Sequence, residues 1–513
     1  MQPLETTLSQ IPTPRIERWV YAFILLHIIV WTLAPICVRY TLPMDAIEGT
    51  IWSRQLDWGY DKHPFLNGWL IALALKLDGQ TGWGIYLFSQ LSVALCFWAV
   101  WQFGKKIFPP LYAFIAVLLL ESMQYYNLHA IDFNNNTLEP GFWSLTVLFF
   151  YLGLRENKLY QWLLTGFFAG LSMLTKYYAV MLLLPMLFFM LLYPNTRAQF
   201  KKGNLYLGLL AFLIVIAPHV VWLFSHDFVT FDYAVNRISD THSWFNHIFY
   251  PSQFAWQQLE VFIPALIVLS VLFFGKTQNK IEAAVSMNKF DKTFLLVIGL
   301  GPFLLTLLPS ALGGYKLRAA WGQPLLTYWG FIFIAWFMPI LTQQRLRRFV
   351  IFSLSLLTAT VMAYCICLIR APEPSSANFP GKNIANSLTQ AWHDKFSSQL
   401  AYVVGSRELG GNIAFHSKDH PHVFIEANKK ISPWINEKNL RENGAIFVWD
   451  PTEKFQMSFD ELKTRFPTLE QPHIMHFDWM RNKKMRPVEI RVAFLGPLAP
   501  ESAQSPRQSL PSA

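Results

Sequence analysis

Residues 43–69 read PMDAIEGTIWSRQLDWGYDKHPFLNGW and follow directly on a long apolar run, residues 19–38. Asp45 and Glu48 therefore fall just beyond the first hydrophobic helix. A carboxylate pair at the rim of a membrane helix is poorly placed for packing. It is well placed to meet a lipid-borne molecule at the membrane surface, and ionisable groups at that depth are functional candidates by default.

Composition supports the membrane reading. The chain has 513 residues, 53% hydrophobic and 14% charged, with 20 Trp and 44 Phe, which is too apolar for a soluble chain of this size. A spanning helix needs ~20 apolar residues. Eleven runs are candidates: 19–38, 83–103, 111–129, 139–155, 160–175, 177–193, 204–224, 257–275, 292–309, 321–340 and 348–369. The fourth and fifth are short. The fifth and sixth are separated only by Thr175, Lys176 and Tyr177, so they also read as one long tilted helix.

With the N-terminus in the cytoplasm, alternate loops carry the basic residues: Arg15 and Arg18; Lys105 and Lys106; Arg155 and Lys158; Arg197, Lys201 and Lys202; Lys276, Lys280, Lys289 and Lys292; Arg345, Arg347 and Arg348. The positive-inside rule expects this alternation, and losing one helix would invert it downstream. The formal charge of +10 is thus mainly a topology signal. A nucleic-acid footprint would need a clustered basic face. Residues 1–18 contain Glu5, Glu17 and several prolines, which argues for a signal anchor over a cleaved leader. The four cysteines show neither a disulfide framework nor a zinc spacing, and no Walker A or dinucleotide fingerprint is present.

The expected division is a cytoplasmic segment 1–18, a transmembrane domain 19–370 with an outer loop 39–82, and a Pro/Ser-rich linker 371–380. A small α/β domain outside the membrane spans 381–498, with β-like runs QLAYVV, GNIAF, AIFVW and EIRVAFLG, and a disordered tail covers 499–513. The outer loop itself holds two helical stretches, one with Ile47, Ile51 and Leu56 at helical spacing and one opening at Pro64 as N1. Both read as helices lying on the outer interface, with Trp52, Trp58 and Trp69 at headgroup depth.

The outer loop resembles the dolichyl-phosphate-mannose–protein mannosyltransferase family, nearest its bacterial branch of aminoarabinose and lipopolysaccharide galacturonic acid transferases. That branch reads D-E-x-x-Y, W-S-x-x-L, then G-Y-x-x-H-P-P-L. This chain has Asp45-Ala46, Trp52-Ser53-Arg54-Gln55-Leu56, and Gly59-Tyr60-Asp61-Lys62-His63-Pro64-Phe65-Leu66. It departs at Ala46, where the family has Glu, and at Phe65, where it has Pro. Further along, Leu138-Glu139-Pro140, the stretch Gly170–Tyr177 (GLSMLTKY), and Lys316-Leu317-Arg318 with Trp321 and Pro324 resemble later family segments. All fall on the expected outer side.

The resemblance implies a GT-C-like all-α polytopic membrane fold, a polyprenyl-phosphate sugar donor and a cell-envelope acceptor hydroxyl (lipid A or lipopolysaccharide, another glycan, or protein). It leans towards a reaction that requires no cofactor or metal; paired acids would also suit a divalent ion. Sugar transfer to a hydroxyl needs a base for the acceptor proton and fixed cations for the departing phosphate. Asp45 is the expected base, with Glu48 and Glu139 as further catalytic acids. Lys62, His63, Lys176, Lys316 and Arg318 are the expected phosphate-binding residues, with Arg54 in addition. Each also has a plain reading. Asp45 suits a helix N-cap, Glu48 a solvated partner of Arg54, His63 and Glu139 helix starts, Asp132 a turn, and Lys176 a snorkelling lysine. Lys316 and Arg318 suit helix flanks. A lipid-linked-sugar transporter is the competing function. It would favour internal repeats, which the two halves do not show.

Overall fold

The computed structural model describes residues 11–238, 243–274, 287–451 and 458–498. The readings placed on Glu5, Lys276, Lys280 and the 499–513 tail lie outside the described residues. The chain divides into two compact units, one of residues 1–39 and 56–369 and one of residues 40–55 and 370–513.

The first unit is helical. Its elements are α1 (Thr13–Val38), then, after α2 (Met44–Trp52) of the other unit, α3 (Leu66–Asp78), α4 (Trp83–Ile107), α5 (Pro110–Glu121), α6 (Asn135–Glu156), α7 (Leu159–Thr175), α8 (Val180–Leu192), α9 (Gly203–Ser225), α10 (Val229–Ile238), α11 (Asn246–Ser270), α12 (Lys289–Gly313), α13 (Trp329–Phe337) and α14 (Gln343–Arg370). Each of the eleven apolar runs contains a helix. Among the described residues, six helices are long and apolar enough to cross a membrane, and a seventh counts if α8 is joined to the short helix Pro194–Lys201, at a 98° bend. The protein is thus a multi-pass membrane protein, although the figure of eleven is not reached on length and composition. The physical reason is visible in α5. At twelve residues it is about 18 Å long, short of a ~30 Å hydrocarbon core, and every residue from Leu111 to Glu121 is buried. It is apolar because protein surrounds it. The 321–340 run folds as α-helix only over α13, ended by Met338 in a left-handed conformation (φ 38°).

The basic loops share one end of the bundle. Lys105, at the end of α4, pairs with Glu17 at the start of α1 (2.8 Å). Arg155, closing α6, lies over Phe290 at the start of α12. Arg345 donates to the Phe273 carbonyl (3.2 Å). The α6 start lies at the other end, where Ser89 and Gln90 of α4 both bond the Ala130 carbonyl ahead of it (2.5 and 2.9 Å).

The second unit is a three-layer α/β domain. It contains α15 (Gly381–Phe396), β1 (Tyr402–Gly405), α16 (Arg407–His416), β2 (His422–Ile425), α17 (Glu437–Asn443), β3 (Ala445–Trp449), α18 (Phe459–Arg465), β4 (His473–Phe477) and β5 (Val488–Leu495). The sheet order is β2-β1-β3-β5-β4, parallel across β2, β1 and β3 and antiparallel at β5 and β4. Strand side chains alternate between faces. Val403, Ile446 and Val448 pack with Ile384, Leu388 and Trp392 of α15, whereas Val404, Phe447 and Trp449 pack with Leu440 and Leu462. Covering on both faces is why β1 and β3 read as continuous apolar runs.

The outer loop is divided between the units. Its first helix, α2, is part of the α/β unit. Ile47 and Ile51, which the helical spacing assigned to the lipid surface, are buried against this domain. A Cβ on Gly411 of α16 would lie 2.6 Å from Ile47, so the glycine makes the close approach possible. Glu48 pairs with Arg407, Thr41 bonds Asn412 (2.5 Å), Arg54 donates to the carbonyls of His420 and Ala414, and Gln55 meets His422 (2.9 Å).

Three histidines line this junction. Burial lowers His416 from 6.5 to about 4, with Lys382 adding to the shift, and it also lowers His420 and His422, where Arg54 contributes. The folded unit therefore holds fewer protons than the unfolded chain below pH 6.5. Its stability is complete above that value and is lost as pH falls towards about 4. His416 alone accounts for at most about 3 kcal/mol. Hydrogen exchange on the full-length protein should show α2 and α16 opening more readily at pH 5 than at pH 7.5, and His416→Gln should flatten that dependence.

Candidate active site

The helical unit carries a built polar site at the start of α6. Asn134 caps the helix, accepting from the N–H groups of Asn136 and Thr137 (2.8 and 3.2 Å). The helix thus begins at Asn135, one turn before the Glu139-Pro140 pair that the sequence reading took for its start. Asn136 and Glu139 share a face at i, i+3. Pro140 has no N–H to give the Asn136 carbonyl.

Glu139 is fully buried. Neither carboxylate oxygen has a hydrogen bond of good geometry among the described residues, and the Trp143 indole stands beside it in the same condition. Lys176 is the cation that acts on it. The chain leaves α7 at Lys176 in extended conformation, which turns the side chain away from the helix. Its Nζ donates to Asn136 Oδ1 (2.8 Å) and lies over Tyr178 and Trp321, 5.3 and 5.1 Å from their ring centroids. Tyr178 in turn bonds Thr306 of α12 (2.5 Å) and stacks on Trp143 at 6.0 Å. Three segments singled out in the sequence, around Glu139, Lys176 and Trp321, are therefore brought together.

Lys62 and His63 stand on a tight loop. Gly59 and Pro64 form an isolated bridge, and the Tyr60 N–H donates to the His63 carbonyl (3.0 Å). Pro64 closes this loop, and α3 starts two residues later, so Pro64 is not the helix N1 residue expected from sequence. A Cβ at Gly59 would collide with the Trp222 ring, and one at Gly68 would lie 2.7 Å from the Tyr60 ring. Burial pushes the Tyr60 hydroxyl well above its usual range, and Asp57 adds to the shift. Lys62 and His63 both face Tyr233 of α10, at 5.7 and 5.9 Å.

The same helix meets Tyr177, the neighbour of Lys176. Tyr177 stacks on Phe231 at 4.9 Å and bonds Thr230 (2.8 Å) and His219 Nε2 (2.6 Å). His219 Nδ1 lies 2.6 Å from the Trp58 carbonyl, an acceptor only, so Nδ1 carries the proton and Nε2 accepts from Tyr177. Thus α10 is the shared neighbour of both cationic segments. Lys316 and Arg318 are exposed.

Asp45 and Glu48 belong to the α/β unit. The N-cap of α2 is Pro43, without a side-chain cap, so Asp45 is a first-turn residue and not the cap; its side chain is exposed. Glu48 is buried against Arg407, a partner 359 residues away that the sequence reading did not name. Arg54, the partner considered there, bonds backbone carbonyls. Asn136, Trp143, Tyr178 and Tyr233 were also missed. Asn136 lay in an NNN run that reads as a plain loop. Among the described residues, no three His, Cys, Asp or Glu side chains converge as a metal site would require.

Residues 62–222 match the family model described as dolichyl-phosphate-mannose-protein mannosyltransferase. The chain resembles that family of GT-C transferases. An undecaprenyl phosphate-alpha-4-amino-4-deoxy-L-arabinose arabinosyl transferase 1 from Proteus mirabilis is 24% identical over 311 residues, 55% of this chain and 53% of the relative. Its counterpart from Pseudomonas fluorescens is 24% identical over 245 residues, 44% of this chain and 42% of the relative. The chain thus aligns with about half the length of these curated relatives. In structure it is similar to ArnT from Cupriavidus metallidurans bound to undecaprenyl phosphate, with a TM-score of 0.60 at 14% identity, covering 93% of this chain and 98% of that one. It is also similar to the mycobacterial arabinofuranosyltransferase AftD, with a TM-score of 0.50 at 13% identity, covering 94% of this chain and 40% of that one. The fold is GT-C.

Gly68→Ala should force the Tyr60 ring, and with it the Lys62–His63 loop, out of place. The expected cost is about 1–3 kcal/mol, as for other overpacked sites, read as a lower melting temperature. Lys76→Ala, on an exposed face of the same helix, should leave the melting temperature unchanged.

Proposed function

We propose that the protein is a membrane glycosyltransferase that moves a sugar from a polyprenyl-phosphate donor to a cell-envelope acceptor hydroxyl at the outer face of the cytoplasmic membrane. The observation that carries this reading is the buried Glu139 carboxylate held beside Lys176 among Trp143, Tyr178 and Trp321. A carboxyl group buried in a helical bundle is costly to ionise unless a cation compensates it, and ionisable groups inside membrane proteins mark substrate sites. The arabinosyl transferase relatives are named for an undecaprenyl phosphate sugar and the similar ArnT structure is bound to undecaprenyl phosphate, which supports a lipid phosphate as the anion received there.

In the proposed reaction the acceptor oxygen attacks the anomeric carbon from the face opposite the phosphate. Asp45 takes the acceptor proton as the new bond forms. The bond from the anomeric carbon to the phosphate oxygen breaks, and its electron pair leaves with the lipid phosphate. The single displacement inverts the anomeric centre and requires no nucleophile from the protein. Lys176 stabilises the charge growing on the phosphate, with Lys62 and His63 as its partners across α10 and Lys316 and Arg318 as outer contacts. Fixed cations in a water-poor site need no reorganisation at that moment. Asn136 holds Lys176 in position through its Oδ1, and the Glu139 carboxyl adds an electrostatic attraction from the same face of α6.

Purified protein in liposomes, given polyprenyl-phosphate sugar and an envelope lipid fraction, should release polyprenyl phosphate. Asp45→Asn should lower that rate by about two to four orders of magnitude with folding intact, because the side chain is exposed. Normal turnover would remove Asp45 from the role of base. Lys176→Arg should not restore the activity lost in Lys176→Gln, because a planar fork and a point charge hold the Asn136 Oδ1 and a phosphate in different geometries. Full activity of the arginine variant would contradict the assigned geometry.

A further inference from the structure

The helical unit also carries a groove remote from Glu139. It has a volume of about 720 Å³ and lies between α1 and α14, floored by α5. Trp19, Phe23, Phe114, Leu118, Val350 and Ile351 supply apolar walls, and Arg15 and Arg347 stand at one end. Along α1 the lining runs from Arg15 to Leu26, and along α14 from Gln343 to Leu354. Each stretch is about 16 Å long at the helical rise, close to half of a ~30 Å hydrocarbon core. The groove is therefore one leaflet deep, apolar along its length and cationic at its mouth. Trp19, Leu26, Ile351 and Leu354 remain exposed on it, and Arg15 lies over the Trp19 ring at 6.0 Å.

We propose that this groove binds an anionic diacyl phospholipid, with an acyl chain along the aromatic and aliphatic walls and its phosphate between Arg15 and Arg347. Charge complementarity selects the occupant. Two guanidinium groups at the end of an apolar slot match a lipid with a net negative headgroup, and basic pockets between membrane helices bind such headgroups. The reacting donor is a different lipid at a different place. A Cβ at Gly141, close to Glu139 on α6, would lie 2.9 Å from the Ser92 carbonyl of α4, whereas the other end of α4 carries Lys105, paired with Glu17 of α1. Ser92 and Lys105 are separated by about 20 Å along the helix. The groove mouth is at the Glu17 end. This inference is independent of the catalytic reading.

Native mass spectrometry of the full chain tests it. The probe is a vesicle of equal phosphatidylglycerol and phosphatidylethanolamine with a trace of polyprenyl phosphate. The wild-type protein should retain one phosphatidylglycerol preferentially. A juxtamembrane cation contributes on the order of fivefold to anionic-lipid affinity, so the R15Q/R347Q double variant should lose the preference by roughly twenty-five-fold. Ala22→Trp, which fills the groove without changing charge, should abolish retention. Equal retention of both phospholipids by the wild type would overturn the proposal, as would retention of polyprenyl phosphate in place of phosphatidylglycerol. So would unchanged retention in both variants, or a dimer in place of bound lipid.

Discussion

A carboxylate sealed inside a membrane helix bundle is costly unless a cation and oriented dipoles compensate it. Here Glu139 is the buried carboxyl group and the half-buried Lys176 is the cation that acts on it, and much of the surrounding structure can be understood as keeping the two together. Asn134 fixes where α6 begins, and so fixes the face that carries Asn136 and Glu139. The extended residue at the end of α7 swings Lys176 onto that face. Tyr178 is held by Thr306 on one side and Trp143 on the other, and Trp321 closes over the ammonium from a late segment of the chain. The aromatic walls keep water scarce, which makes each remaining electrostatic contact stronger than it would be at the surface.

The polar chain from Thr230 through Tyr177 and His219 to the Trp58 carbonyl connects this region to the loop bearing Lys62 and His63. Each link has one donor and one acceptor, so the histidine tautomer is determined by its neighbours. The loop depends on two glycines for space, at the Trp222 and Tyr60 rings. The separate α/β unit takes α2 as one of its own elements through burial of Ile47 and Ile51 and through the Glu48–Arg407 pair. Asp45 is thereby presented on an element whose opposite face is anchored in protein.

The locations of the helices were legible in the sequence because long apolar runs have few alternatives to helix in a membrane. Their lengths were not, since α5 is apolar because protein buries it rather than because lipid surrounds it, and hydropathy alone cannot distinguish the two. The Ile47 and Ile51 spacing was correctly read as an amphipathic helix, but the surface that buries it lies more than 360 residues on in the chain at Gly411 and Ala414. The family resemblance singled out Glu139 and Lys176 as candidates, and Trp321 as part of a late segment, each separately. Their convergence depends on tertiary packing, and Asn136, the hydrogen-bond partner of Lys176, carried only the signal of a polar loop.

The central claim is that Lys176, beside the buried Glu139, receives a lipid phosphate. A structure of the full chain with polyprenyl phosphate bound in a nanodisc tests it most directly. The account predicts phosphate density within hydrogen-bond distance of Lys176 Nζ, with the Lys176–Asn136 bond lengthened or broken. Phosphate bound elsewhere, with Lys176 still on Asn136 and Glu139 still enclosed, would contradict it.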